Sequence, residues 1–277
     1  MICMKSLLFL CATFFWTSLI SFAYGAGPCN IYIHGRDAKL GSWDNLPHYI
    51  NWNSSLELEN AAEDLAPKLV AEISKCKKAP IFLRTYDYSS AVVYYILGLG
   101  RRYADLYPQH NFVRIYQATI AVYSFGGAFS GTPLMDYVCA SGKSKAITKL
   151  VGEKCILSMT TAEIYHPSSI INSPGVPIYL VFGTHDREYG EEVAELLRGS
   201  GLTWEERYQN KESSRSDGVV PLASAMACEN EVAITDVEGE CNKINNDYFI
   251  DFFRSDEHSH SDLVRDRELL RGVYDEN

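Results

Sequence analysis

The stretch 120–127 carries the clearest chemical signal in the sequence. An apolar, partly β-branched run ends on Ser124, and two glycines follow closely. When a strand turns sharply into a helix, the turn exposes one side chain and crowds the backbone around it, so the neighbours must be small. The pattern predicts a nucleophile elbow at Ser124, followed by a helix over 128–139. Val122 departs from the usual G-x-S-x-G motif, which has glycine at that position.

A serine hydroxyl becomes a strong nucleophile only when a neighbouring imidazole accepts its proton. His258 and His260 lie in a polar loop before the last predicted helix, and either could be that base. The acid that orients the imidazole has two candidates. Asp186 directly follows a predicted strand, and Asp217 lies in a predicted Asp-Gly turn. A metal patch in the histidine loop would need further ligands, and none is indicated, so we predict no metal and no cofactor.

The dipeptide His34-Gly35 follows a predicted strand over 30–33. Glycine lets the backbone approach a ligand closely, and the amide of the next residue, Arg36, can then point at an anion. We therefore expect the loop after this strand to hold an oxyanion. His34 itself is expected to be a structural histidine.

Strands and helices alternate along the sequence, which favours a mainly parallel α/β sheet flanked by helices in a single domain. That domain would cover residues 26–277, with 141–175 and 205–216 as candidate caps or inserts. The predicted strands are 30–33, 80–86, 112–122, 154–158 and 177–183, and the predicted helices are 56–75, 91–107, 128–139, 191–197 and 263–273.

Residues 1–25 have the pattern of a cleaved signal peptide, with Lys5, an apolar core and a small-residue cleavage site. The apolar run is shorter than the roughly 20 residues of a spanning helix. We therefore predict a secreted or periplasmic protein. Its formal charge of −10 argues against attraction to nucleic acid or to anionic lipid.

Six cysteines remain beyond the predicted signal peptide, and an even number in an exported chain indicates disulfides. Pairing between sequence neighbours would give Cys29–Cys76, Cys139–Cys155 and Cys228–Cys241. The sequence has no C-x-x-C pair, so a zinc site is not expected.

The succession of motifs resembles the α/β-hydrolases, and most closely their lipase and esterase branch. Members of that branch have an HG strand end, a serine elbow, a D-G-x-V acid turn and a late histidine, in that order. The matching segments are His34-Gly35, Ser124–Gly127, Ser216–Pro221 and His260. The resemblance covers nearly all of the mature chain.

Carried over to this sequence, the resemblance implies that Ser124 is the nucleophile, His260 the general base and Asp217 the orienting acid. The amides of Phe125 and Arg36 would form the oxyanion hole. The implied activity is hydrolysis of carboxylic esters through an acyl-enzyme. Arg36 stands where the family often has an apolar residue, which implies a bias towards polar or anionic substrates.

Other interpretations remain open at this stage. The same triad could serve a thioesterase or an amidase, and Val122 motivates a binding protein that has the fold without the activity. The expected partner is a small-molecule or lipid ester, with transient contact to a lipid surface and no nucleic acid. The sequence does not indicate an oligomeric state.

A second position for the elbow follows from the run 130–134. It resembles a G-T-P-L loop that follows a later strand in lipases. On that alignment the elbow lies earlier in the chain, near Ser89 and Ser90, and Ser124 is an ordinary strand serine.

Overall fold

A single parallel sheet organises the protein. The computed structural model describes residues 27–36, 43–162, 167–185, 193, 216–228 and 247–266. Within these ranges the strands run in the order β2-β1-β3-β4-β5-β6, and all neighbours pair in parallel. The strands are β1 (Cys29–Ile33), β2 (Tyr49–Ile50), β3 (Ile81–Tyr86), β4 (Thr119–Phe125), β5 (Ile178–Gly183) and β6 (Phe249–Ser255). The predicted parallel α/β architecture is confirmed.

Helices connect the strands. In the described ranges they are α1 (Leu58–Lys75), α2 (Tyr88–Arg102), α3 (Asn111–Ala118), α4 (Pro133–Cys139), α5 (Lys145–Val151), α6 (Leu222–Ala225) and α7 (Asp262–Arg265). Short 3₁₀ turns occupy Leu157–Met159 and Pro167–Ser169. No helix in this part of the chain combines the length and the apolar character that crossing a membrane requires.

Apolar side chains cover both faces of the inner strands, as expected for a buried parallel sheet. On one face Leu83 and Val122 belong to a large aliphatic core that includes Leu65 of α1 and Ile96 of α2. The other face carries a smaller cluster that is rich in aromatic rings, with Tyr32, Trp43, Tyr86, Tyr123 and Phe125 among its members. Because all strands are parallel, their carboxyl ends meet at one edge of the sheet, where ligand groups in such folds gather.

The predicted strand over 112–122 is wrong in its first half. Residues Asn111–Ala118 form helix α3, and strand β4 covers Thr119–Phe125. The buried residues of α3 are Phe112, Val113 and Ile115, so one helix face and the next strand merge into a single apolar run in the sequence. As a consequence, Ser124 lies inside the strand and not beyond its end.

Most other predicted elements are confirmed with shifted boundaries. The helix over 91–107 begins three residues earlier and ends at Arg102, and the helix over 128–139 begins only at Pro133. The predicted strand over 154–158 is wrong, because its end belongs to a 3₁₀ turn. Only Val193 of the helix over 191–197 is described, and the last predicted helix is described as far as residue 266.

The candidate inserts differ in how much of them is described. Segment 141–175 contributes Ile147, Leu150, Ile156 and Met159 to the large core, so it packs with the sheet. Segment 205–216 lies outside the described residues except for its last position, and so does the predicted signal peptide, residues 1–25.

Two predicted disulfides are present. They join Cys29 to Cys76 and Cys139 to Cys155. Cys228 is also disulfide-bonded, but its predicted partner lies outside the described residues. The first bond ties the start of β1 to the end of α1. Bonds of this kind are compatible with an oxidising compartment such as the periplasm or the extracellular space.

Helices α2 and α3 pack closely at Gly100. A β-carbon there would lie 2.3 Å from the backbone oxygen of Phe112. Gly100→Ala is expected to lower the free energy of unfolding by about 1–3 kcal/mol, because the helices must separate to admit the methyl group. This loss should outweigh the higher helix propensity of alanine. Urea unfolding followed by circular dichroism measures it.

Gly27→Ala is the matched control, since a β-carbon at that position meets no atom within 4 Å. Its stability should stay within about 0.5 kcal/mol of wild type. Two variants of equal, unchanged stability would contradict the close packing of α2 on α3.

Candidate active site

The sharp strand-to-helix turn of the protein lies at Asp87. Strand β3 ends at Tyr86 and helix α2 begins at Tyr88, so a single residue makes the connection. Asp87 has φ 53° and ψ −127°, a conformation that non-glycine residues rarely adopt. A strained residue at this kind of turn is the signature of a nucleophile elbow. The position that other elbows give to serine is therefore held by a carboxylate.

The hydroxyl groups of Thr85, Ser89 and Ser90 stabilise the turn. The amide of Tyr86 donates to Oγ of Ser89 (2.9 Å), and Oγ of Ser89 approaches the carbonyl oxygen of Ile33 (3.0 Å). Thr85 and Ser90 share a hydrogen bond of 2.9 Å between their hydroxyls. Thr85 and Ser89 occupy the positions where the usual motif has glycine, and their side chains bind the crowded backbone and not solvent.

Two backbone amides hold the carboxylate of Asp87. The amide of Arg36 donates to Oδ2 (2.9 Å), and the amide of Tyr88 also hydrogen-bonds to the carboxylate. Amides from the residue after the nucleophile and from the loop after an HG strand form the oxyanion hole of an elbow enzyme. Gly35 makes this approach possible, since a β-carbon there would lie 2.6 Å from Cβ of Asp87.

The side chain of Arg36 anchors the oxyanion loop. Its guanidinium donates to three backbone carbonyls: Nη1 to Ser54 (2.5 Å), Nε to Val151 (2.8 Å) and Nη2 to Lys154 (2.9 Å). The hydroxyl of Ser54 in turn donates to the Arg36 carbonyl (2.6 Å). Through these contacts the guanidinium holds the loop in place, and this fixes the position of the Arg36 amide. Because the guanidinium has this structural role, the reason for predicting a bias towards anionic substrates no longer applies.

The predicted acid and base are brought together. Nδ1 of His260 lies 2.6 Å from Oδ2 of Asp217, and both side chains are buried. Asp217 also accepts from the amides of Val219 and Val220 at Oδ1, and its own carbonyl accepts from the His260 amide. The ring of Tyr86 lies 4.6 Å from that of His260 between centroids. The imidazole is therefore fixed in orientation by an acid, as a general base must be.

Gly126 leaves the space in which this pair fits. Its φ is +52°, and a β-carbon there would lie 2.8 Å from Nδ1 of His260 and 2.9 Å from Oδ2 of Asp217. Any side chain at position 126 would push the acid and base apart. Gly126 therefore makes room for the dyad and is not part of an elbow.

Asp87 shares the electrostatic field of the dyad. Burial raises the pKa of Asp87, while His260 and the bound amides oppose the rise and Asp217 adds to it. Among the described residues, Oδ1 of Asp87 has no hydrogen-bond partner. The carboxylate thus has one oxygen held by amides and one that no described group binds.

The structure does not place Ser124 at an elbow, and this predicted feature is corrected. Ser124 pairs with Thr85 inside the sheet, and its side chain is buried. Its hydroxyl donates to Oγ of Ser90 (2.8 Å). The carbonyl of Phe125 accepts from the amide of Asp87 (3.1 Å), which links the end of β4 to the turn after β3.

The other candidates lie in different surroundings. Nδ1 of His258 approaches Oγ of Ser255 (2.6 Å), and its Nε2 approaches Oδ2 of Asp266 (2.9 Å), so this ring is engaged away from Asp217. Asp186 lies outside the described residues. Nε2 of His34 accepts from the amide of Trp52 (3.3 Å), a contact typical of a structural histidine.

Sequence reasoning missed Asp87, although a signal for it exists. A predicted strand over 80–86 is followed almost at once by a strong helical pattern. So short a connection marks the sharpest turn in the chain. The alternative elbow near Ser89 and Ser90 points to this turn, only two or three residues too late.

Comparisons with known proteins agree with this fold. No protein-family model matches the chain, and no curated protein matches it. The chain is similar to the mature lipase BlEst2 of Bacillus licheniformis, with 15% identity and a TM-score of 0.55 over 90% of this chain and 91% of that one. Weaker matches are the phospholipase PlaB of Legionella pneumophila (15% identity, TM-score 0.42, 71% and 44% covered) and the metagenomic carboxyl esterase MGS0156 (16%, 0.41, 72% and 62%). The protein has an α/β-hydrolase fold.

Replacing the buried carboxylate should stabilise the protein. Asp87→Asn keeps an oxygen for the two amides and removes a charge whose pKa burial raises. Because the folded protein holds the Asp87 proton more tightly than the unfolded chain, wild type loses stability as pH rises above about 4. We expect Asp87→Asn to be more stable by about 1–3 kcal/mol at pH 8, with a difference that shrinks towards pH 4.

Urea unfolding at both pH values measures this difference. Asp105→Asn is the control, since Asp105 is exposed and should give no such trend. If Asp87→Asn were less stable than wild type at pH 8, Asp87 would not be a strained, desolvated carboxylate.

Proposed function

We propose that this protein is a hydrolase of the α/β type whose reaction passes through an ester formed on Asp87. The observation that carries the proposal is the strained carboxylate at the elbow, which backbone amides bind and which His260–Asp217 lies near. Carboxylates are known covalent nucleophiles in enzymes. The substrate class is a molecule with an electrophilic saturated carbon, such as a haloalkane or an epoxide.

In the first step Oδ1 of Asp87 attacks the saturated carbon. A carbon–oxygen bond forms, and the bond from carbon to halide or to epoxide oxygen breaks, with its electron pair leaving on the halide or oxygen. Oδ2 remains on the amide of Arg36. The product of this step is an alkyl ester of Asp87.

In the second step water hydrolyses that ester. His260 accepts a proton from water, the resulting hydroxide adds to Cγ of Asp87, and the negative charge develops on Oδ2. The Arg36 amide at that oxygen stabilises the charge, and the Tyr88 amide also hydrogen-bonds to the carboxyl group. A donor of this kind contributes roughly 2.7–4 kcal/mol in known cases. Asp217 stabilises the imidazolium, which then gives the proton to the departing alcohol oxygen.

The alternative of direct attack by Asp87 on a carboxylic ester is disfavoured by its chemistry. That attack would form an anhydride and expel an alkoxide. An alkoxide is a much poorer leaving group than a carboxylate, so the anhydride would revert to the ester and the Asp87 carboxylate. An ester on Asp87 avoids this difficulty, because its hydrolysis returns the free carboxylate.

Carboxylic ester hydrolysis is the second candidate, and the likeness to a lipase over most of both chains favours it. In that case Ser124 would be the nucleophile, with His260 and Asp217 as base and acid and the amides of Phe125 and Arg36 as oxyanion donors. Thioesters and amides are related substrates. The disulfides support action outside the cytoplasm, in the periplasm or after secretion.

Three variants distinguish the candidates. His260→Gln should permit the first step and block the second, so a stoichiometric adduct should accumulate on Asp87 when the variant meets an epoxide or a bromoalkane. Asp87→Asn should lose turnover by about 10⁴-fold or more and form no adduct. Ser124→Ala, which removes only the hydrogen bond to Ser90, should keep turnover near that of wild type.

Intact-mass and peptide-mapping mass spectrometry detect the adduct, and p-nitrophenyl esters give the comparison activity. Ester turnover that is lost in Ser124→Ala and retained in Asp87→Asn would overturn the proposal in favour of a serine esterase. The absence of turnover and adduct with every substrate would favour a binding protein.

A further inference from the structure

A second cluster of reactive side chains lies at the opposite end of strand β1 from Gly35. Cys29, His48 and Cys76 each present a possible metal-ligating atom, and these atoms all lie within 4.8 Å of one another. Both cysteines are buried, and the side chain of His48 is 30% exposed. The cluster is thus shielded on the cysteine side and open to solvent at the imidazole.

Three separate elements hold the cluster. Cys29 is the first residue of β1, Cys76 caps the C-terminus of α1, and His48 directly precedes β2. His48 has φ 58°, and its carbonyl accepts from the amide of Tyr32 (3.1 Å), which fixes it beside β1. A donor set on rigid elements is already arranged before any ligand arrives.

The imidazole of His48 has the partner that metal-binding histidines usually have. Its Nδ1 lies 3.2 Å from Oε2 of Glu72, so Nε2 remains for a ligand. In metal sites a carboxylate on the second ring nitrogen orients the imidazole and raises its basicity. The Glu72 backbone also contacts the cluster, because its carbonyl lies 3.5 Å from Sγ of Cys76.

We propose that, once the Cys29–Cys76 disulfide is reduced, these two thiolates and Nε2 of His48 bind one Zn²⁺ ion. Two thiolates and one imidazole suit zinc, with water in the fourth position. The Cα atoms of the two cysteines are 5.8 Å apart. A tetrahedral zinc site needs its two sulfurs only about 3.8 Å from each other, so side-chain rotation suffices.

A dithiol reductant balances the conversion of the Cys29–Cys76 disulfide into a zinc site. A dithiol reductant supplies two electrons and two protons, becomes a cyclic disulfide, and leaves Cys29 and Cys76 as thiols. Zn²⁺ then replaces the two thiol protons, which are released to solvent. Disulfide and metal exclude each other, and each one links the start of β1 to the end of α1. The link therefore survives a change of redox state.

No sequence motif indicates this cluster, since its cysteines are 47 residues apart and no C-x-x-C pair is present. Zinc motifs are recognised by short spacings, whereas this donor set is assembled by tertiary structure alone.

Cobalt(II) is the spectroscopic probe for the test. The full chain is reduced with a dithiol, freed of reductant without oxygen, and titrated with Co²⁺. We expect one Co²⁺ per chain with the thiolate-to-cobalt absorption of a tetrahedral site, and displacement of Co²⁺ by Zn²⁺. His48→Ala should weaken binding by about tenfold or more, and Glu72→Gln by roughly tenfold.

Cys139→Ser/Cys155→Ser is the matched control, because it removes the other described disulfide and should keep the signal. Zinc should also protect Cys29 and Cys76 of the reduced chain from alkylation by iodoacetamide. Peptide mapping measures the alkylation of each cysteine separately. This measurement needs no variant, so it gives a result even if a variant folds poorly. Alkylation of Cys29 and Cys76 that zinc does not slow, or a cobalt signal that survives in Cys29→Ser/Cys76→Ser, would overturn the proposal.

Discussion

The hydrogen bonds between the Asp87 carboxylate and the amides of Arg36 and Tyr88 are the contacts on which the site depends. They draw the end of β1 and the start of α2 to one point and set the strained conformation of the turn. They also hold a desolvated charge in the protein interior, which few folds tolerate without a functional reason. Arg36 supports this arrangement from a distance, since its guanidinium joins three carbonyls of the surrounding loops.

The dyad of Asp217 and His260 comes from later parts of the chain and meets that turn through Tyr86, whose ring packs against His260. Asp217 is fixed by the amides of its own tight loop, and His260 lies in the loop that follows β6. Gly126 opens the space for them at the end of β4. Gly126, which resembles part of an elbow motif, thus has a steric role towards the dyad, and Val122 is a strand residue paired with Leu83. The missing first glycine of the motif therefore needs no special explanation.

Much of the fold could be predicted from the sequence, because alternating apolar runs of different period mark strands and helices even when their ends are uncertain. The pairing of Asp217 with His260 could also be anticipated, since the turn Ser216–Pro221 and the late histidine resemble the acid and base motifs of the α/β-hydrolases. The sequence predicts the elbow at Ser124 and not at Asp87, because α3 and β4 form one continuous apolar stretch that makes the predicted strand end at Val122. An aspartate between a strand and a helix is also an ordinary sequence feature. Only its backbone angles distinguish Asp87.

The most direct test of whether Asp87 is the nucleophile is to find which product receives the oxygen atom of water during the first turnover. With enzyme in excess over an epoxide or a haloalkane in water labelled with heavy oxygen, the oxygen of Asp87 should pass to the product and water oxygen should enter the carboxyl group. The account predicts an unlabelled alcohol and a heavier Asp87 peptide. A labelled alcohol together with an unlabelled Asp87 peptide would contradict it.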